Sequence, residues 1–194
     1  MTTILVIGPG AIGATLTAWL AQDASHQVSV AARTPLDSIE VQTPGGVIYA
    51  RPRVFTDVLQ VEPVDWVLVT TKTYDSDSAA KWFAGACGPH TRVAIIQNGV
   101  EHIARFEKHF DRSRLVPVMI DLPADRLSPG RALQRRTAQL VVPAGANGAD
   151  FVKLFGHTNF DLKQTEDFTT AVWRKLCLNS AGAVSAVVLA GAGI

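Results

Sequence analysis

Four side chains carry most of the chemistry that this sequence offers. Lys175 and Asn179 stand four residues apart in a helical stretch, so both project from one face. An ammonium near a carbonyl oxygen stabilises developing alkoxide charge. The residues after Lys175 are apolar, and an apolar surround is expected to disfavour its charged form and suit it to proton transfer near neutral pH. Lys72 follows the apolar run Val67–Thr71, and Asn98 follows Val93–Gln97. Both sit at the carboxyl ends of candidate parallel strands, where open α/β sheets bind ligands. Each residue also has a plainer reading. A lysine after a strand is commonly solvated, Asn-Gly is commonly a turn, and a Lys/Asn pair is commonly an exposed helical face. Their convergence above a nucleotide-binding loop is what points to a site.

That loop is Gly8-Pro9-Gly10-Ala11-Ile12-Gly13. It follows the short apolar run Thr3–Ile7 and precedes a helix over Ala14–Ala21 and a second strand over Val28–Arg33. Strand, glycine loop, helix and strand form the dinucleotide-binding fingerprint in its proper setting. Gly8 permits the tight turn, Gly10 lets the backbone approach a pyrophosphate, and Gly13 lets the helix pack on the sheet. The helix N-terminus presents free N–H groups and partial positive charge to phosphates. Pro9, with fixed φ and no N–H, is tolerated in such a turn. NAD-binding folds place an acid about 20 residues further on, against the ribose 2′-hydroxyl. Here Arg33 holds that place, with no acid between Ala24 and Pro35. An arginine there pairs with a 2′-phosphate, so the expected cofactor is NADPH/NADP; the plainer reading of Arg33 is a solvated strand-end charge.

The remaining elements must hold these groups in place. Ile39–Gln42 and Val47–Ala50 flank Thr43-Pro44-Gly45-Gly46 and read as a hairpin, after which Pro52 limits pairing. Val64–Thr71 and Arg92–Gln97 read as buried parallel strands. Asp75–Ala86 reads as a crossover helix, Glu101–His109 as a short amphipathic helix, and Leu115–Ile120 as another strand. Pro123, Pro129 and Gly130 punctuate a loop, and Ala132–Val142 alternates like one extended strand. Ala149–Phe155 reads as a helix, Phe160–Gln164 as a strand, and the chain from Phe168 to about Leu189 as one long helix. The expected fold is α/β: a Rossmann-type, doubly wound, mostly parallel sheet followed by a long C-terminal helix that begins a helical domain. The expected division is 1–166 for the cofactor domain and 167–194 for the start of the second.

Composition narrows the setting. The 194 residues are 47% hydrophobic, enough for one good core, and the net charge of +1 implies no general attraction to nucleic acid or membrane. Cys87 and Cys177 have neither metal-ligand nor redox spacing, so no metal site is expected and reduced thiols in the cytoplasm are the default. Met1 to Ile7 lacks the basic start of a signal peptide. Leu176–Ile194 contains no charged residue, but its Asn179, Ser180, Ser185 and many Gly and Ala suit a helix facing protein rather than lipid. Such a helix needs cover, from further structure or from a second copy in a homodimer.

The chain resembles the ketopantoate reductases (2-dehydropantoate 2-reductases). The matching text is Ile7–Gly13, then Thr71-Lys72-Thr73, then Gln97-Asn98-Gly99-Val100, then Trp173-Arg174-Lys175-Leu176 running into Leu178-Asn179. The resemblance implies reduction of a ketone, that of 2-dehydropantoate or a related 2-oxoacid, by NADPH. It implies Lys175 as general acid, Asn179 and Asn98 on the substrate, Lys72 and Asn98 along the cofactor cleft, and Arg33 on the 2′-phosphate. The family continues into a helical domain whose substrate-binding serine and glutamate have no counterpart in these residues. A second helical asparagine found in many members is Ala183 here. A non-catalytic NADP(H)-binding module of the same family is the alternative.

Overall fold

The computed structural model describes the backbone of residues 1–191 and the side chains of residues 1–182. The readings of Ala183 and of the last apolar side chains therefore lie outside the described residues. In chain order the elements are β1 (Thr2–Ile7), α1 (Ala11–Leu20), β2 (His26–Ala31), β3 (Ile39–Thr43), β4 (Gly46–Ala50), β5 (Arg53–Phe55) and β6 (Val64–Val69). Then come α2 (Ser76–Ala80), α3 (Phe83–Ala86), β7 (Cys87–Ile95), α4 (His102–Phe106), β8 (Leu115–Pro117), β9 (Met119–Asp121), β10 (Ala124–Ser128) and β11 (Arg131–Gln134). The chain continues through β12 (Gln139–Pro143), α5 (Ala146–Leu154), β13 (Asp161–Thr165) and α6 (Phe168–Gly191).

Six strands form one parallel sheet in the order β5-β2-β1-β6-β7-β8. The order reverses between β1 and β6, which creates the crevice where doubly wound sheets bind nucleotides. Strand periodicity divides the core. Ile4, Val6, Trp66, Leu68, Ala94 and Ile96 face one side, while Leu5, Ile7, Val67, Val69, Val93 and Ile95 face the other. The first face is covered by α1 and by Phe151 and Phe155, the second by Phe83 and Phe106. Both faces are apolar because both are covered, as the continuous apolar strands require.

Two smaller sheets extend the first face. The predicted hairpin is present as β3 and β4, and it joins β11 and β10 in a sheet packed against α1. The third sheet is β13-β12-β9.

Several expectations give way here. Ala132–Val142 is two strands, β11 and β12, in different sheets. The chain turns between them at Arg135 and Arg136, whose guanidiniums reach Asp125 and Asp121. The segment before Pro129 is strand β10, mostly exposed and therefore poor in apolar alternation. Leu115–Ile120 splits between two sheets at Val118. The crossover helix Asp75–Ala86 is broken into α2 and α3. In the second piece Gly85 lies so close beneath Val58 and Val61 that an added Cβ would meet their carbonyl oxygens at 2.7 and 2.9 Å. A short strand, β5, follows directly after Pro52 at the sheet edge.

Among the described residues no helix is long and apolar enough to cross a membrane. Phe151 is fully buried, with its ring 5.9 Å from Trp66 and 5.4 Å from Phe155. Phe151→Ala should therefore cost about 3–5 kcal/mol, read from urea unfolding at an unchanged slope. A loss below ~1 kcal/mol would contradict this packing.

Candidate active site

The glycine loop leaves β1 directly below the sheet's reversal point. Gly8 has φ +90°, which favours glycine, and its N–H donates to the Ala31 carbonyl at 3.0 Å. A Cβ on Gly13 would lie 2.3 Å from the Gly8 carbonyl oxygen and 2.4 Å from Thr70 Oγ1, so α1 can seat only with glycine there. A Cβ on Gly10 would meet nothing within 4 Å. The space above Gly10 is open, as backbone approach to a pyrophosphate requires. α1 begins directly at Ala11, earlier than the expected Ala14, and has no acid in its first turn to neutralise its positive end. These features fit a dinucleotide phosphate group.

Thr70 ties β6 to this loop, its hydroxyl donating to the carbonyls of Ile7 (2.9 Å) and Gly8 (2.8 Å). The next two loops meet at Gln97, a buried amide whose place in the Gln97-Asn98-Gly99-Val100 motif gives no sign of this role. Its Nε2 donates to the carbonyls of Thr71 (3.1 Å) and Lys72 (3.4 Å), while its Oε1 accepts from Arg105 Nη1 at 3.1 Å. Its own carbonyl accepts from His102 Nε2 at 2.8 Å. Burial pushes the His102 pKa down to about 4, which keeps this buried ring neutral. Gln97 thus locks the loops carrying Lys72 and Asn98 into one surface, and leaves both side chains exposed and unpaired among the described residues.

Helix α6 supplies the facing wall. Asp167 caps it, accepting from the Thr170 N–H at 3.0 Å. Ala171, Val172 and Phe168 then pack with Met119 and Val141 of β9 and β12. With that first turn fixed, Val172, Lys175, Leu176 and Asn179 fall on one face and line a cleft with Asn98, Gly99 and Met119. Three predicted residues, Asn98, Lys175 and Asn179, therefore share one cleft. Lys72 and Gly8–Gly13 lie at neighbouring strand ends. Arg33 lies further along, past β2, exposed and without an ion pair among the described residues.

The expected apolar surround of Lys175 is replaced by a carboxylate. Lys175 Nζ donates to Asp121 Oδ1 at the end of β9, and Arg136 Nη2 donates to Asp121 Oδ2 at 2.7 Å. Side-chain exposure is only 21% for Lys175 and 24% for Asp121, so the pair is partly shielded from water. Burial pushes the Asp121 pKa up, but the hydrogen bonds from Lys175 and Arg136 outweigh it and hold the carboxyl below its ordinary value. The sequence does offer one signal for Asp121. It follows the apolar run Leu115–Ile120 just as Lys72 and Asn98 follow theirs.

This geometry agrees with the comparisons to known proteins. The family model for ketopantoate reductase PanE/ApbA matches residues 4–147. The 2-dehydropantoate 2-reductase of Caulobacter vibrioides is 55% identical over all 194 residues. The chain belongs to the ketopantoate reductase family. The Mycobacterium tuberculosis 2-dehydropantoate 2-reductase is 32% identical over 92% of the chain. Among solved structures, the 2-dehydropantoate 2-reductase from Porphyromonas gingivalis has the same fold, with TM-score 0.85 and 20% identity over 96% of this chain and 71% of that one. The chain spans 67% of the Caulobacter relative's length and 61% of the Mycobacterium one's.

In this family member the Asp121 pair gives a pH prediction. A carboxyl lowered by folding adds stability above its unfolded value, and that stability is lost as pH falls through the lower folded value. Asp121→Asn should be less stable at pH 7 by up to ~1 kcal/mol. Thermal melts of parent and variant should converge as pH falls below about 4. A difference that persists unchanged at pH 2.5 would contradict the ion pair.

Proposed function

We propose that this chain carries the cofactor site and the proton donor of an NADPH-dependent reductase acting on 2-dehydropantoate or a related 2-oxoacid. The observation that carries this reading is the cleft in which the Lys175 ammonium stands with Asn98 and Asn179. In it, Gly8, Pro9, Gly10, Ala11, Ile12 and Gly13 hold the cofactor pyrophosphate at the α1 N-terminus. Lys72 and Asn98 flank the cofactor, and Arg33 takes the adenosine 2′-phosphate. The bound nicotinamide supplies a hydride.

Everything else is the work of this chain's own side chains. Lys175 Nζ gives a proton to the ketone oxygen as that oxygen gains charge, and solvent reprotonates the amine afterwards. Asp121 holds the ammonium at the cleft wall before the substrate arrives. The amides of Asn98 and Asn179 orient the substrate's oxygens.

In this reading residues 1–166 form the cofactor domain, and residues 167–194 open a second domain toward the substrate. A second copy covering the exposed Trp173 and Leu178 of α6 is the assembly it expects. A Staphylococcus aureus ketopantoate reductase of the same fold, 20% identical with TM-score 0.77, is described as dimeric. The cytoplasm is the expected compartment.

NADPH oxidation by the protein should depend on added 2-dehydropantoate, and Lys175→Ala should lower kcat by about 10²–10⁴-fold with NADPH binding retained. Full activity in that variant would remove Lys175 from the mechanism. NADPH binding without turnover of any 2-oxoacid in a panel would favour the binding-module alternative. Arg33→Ala should weaken NADPH binding by ~10-fold or more and leave NADH binding unchanged, as measured by nucleotide titration. Equal loss for both cofactors would overturn the 2′-phosphate assignment.

A further inference from the structure

At the opposite end of the sheet, three side chains from distant positions converge. His26 opens β2, opposite Thr2 of β1, so it lies at the strands' amino ends, away from the glycine loop. Asp23 sits in the turn after α1, and His157 in the turn after α5. Each residue offers a ligand atom, and the three atoms lie within 4.8 Å of one another. Asp23 Oδ2 is 3.9 Å from His26 Nε2 and 3.6 Å from His157 Nδ1.

The outer hydrogen bonds decide which face of each ring looks inward. His26 Nδ1 lies 3.3 Å from the Leu20 carbonyl, and His157 Nε2 lies 2.8 Å from the Trp19 carbonyl. A carbonyl only accepts, so each of these nitrogens carries the proton. In the neutral imidazole the inward nitrogens, His26 Nε2 and His157 Nδ1, then present lone pairs. Asp23 Oδ1 is occupied by the Ser25 N–H at 2.8 Å, which leaves Oδ2 facing the rings. Two lone pairs and a carboxylate oxygen thus point at one another, at distances too long for direct hydrogen bonds. With both imidazoles neutral, such a set attracts a cation to its centre.

We propose that Asp23, His26 and His157 form a site for a divalent transition-metal ion of the zinc class. Imidazole nitrogen with one carboxylate is a donor set suited to zinc, cobalt or nickel. Ligands bound at about 2.1 Å to a tetrahedral ion stand ~3.4 Å apart, so the set closes when Asp23, in its surface turn, draws in on His26 from 3.9 Å and on His157 from 3.6 Å. Backbone carbonyls already fix both rings in the tautomer that a metal requires. Water takes the remaining position. The ion joins the α1–β2 turn to the α5–β13 turn and acts as a structural clip remote from the cleft.

The test uses the full chain stripped with chelator, titrated with Zn²⁺ by calorimetry and with Co²⁺ by visible absorption. The expected result is one ion per chain, a tetrahedral cobalt spectrum without thiolate charge-transfer bands, and a higher Tm with Zn²⁺. His157→Gln and Asp23→Asn should each weaken binding by more than ~10-fold and abolish the Tm increase. Asp23→Asn keeps an oxygen for the Ser25 N–H, so its fold should persist, as checked by circular dichroism. Unchanged binding in these variants, a thiolate band pointing to Cys177, or no stoichiometric binding by the parent would each overturn the proposal.

Discussion

The close seating of α1 on the ends of β1 and β6 is the constraint from which the rest follows. No side chain fits between Gly13, the Gly8 carbonyl and Thr70. That contact fixes the helix N-terminus over the crevice and leaves its first N–H groups aimed at open space above Gly10. Because β1 lies between β2 and β6, the same contact sets where the neighbouring strand ends emerge. Arg33, Lys72 and Asn98 are consequences of that placement: each is the first exposed residue after a buried strand.

A second layer of organisation is polar. Gln97 spends its amide on the backbone of one neighbouring loop and its carbonyl oxygens on Arg105 and His102. A buried amide is stable only when so fully used. Its satisfaction makes two loops behave as one rigid wall. The opposing wall is set by apolar packing of Phe168, Ala171 and Val172, and by Asp121 drawing Lys175 inward. The cleft is thus bounded by a wall held by hydrogen bonds and a helix held by burial plus one ion pair.

What could be read from the sequence follows what each feature depends on. The glycine loop, the buried strands and the 175/179 helical face were legible because they rest on local period and on glycine's missing side chain. Asp121 carries only a weak signal, its place after an apolar run, where an acid looks like any surface charge until α6 brings an ammonium to it. The break between β11 and β12 was hidden because Arg135 and Thr137 continue the alternation of a strand, although Arg135 and Arg136 turn to separate acids. β10 was missed because an exposed edge strand has little apolar pattern. The Asp23–His26–His157 group was invisible for the simplest reason: its two histidines lie 131 positions apart.

The proposed reaction passes hydride from NADPH to a 2-oxoacid carbon in the cleft lined by Lys175. The most direct measurement is isotope transfer from NADPH deuterated at the transferring position of the nicotinamide, followed by mass analysis of the 2-hydroxyacid product. One deuterium at the carbinol carbon is expected for each NADPH consumed. Product lacking deuterium, or NADPH held in the site without reduction of 2-dehydropantoate or any related 2-oxoacid, would contradict it.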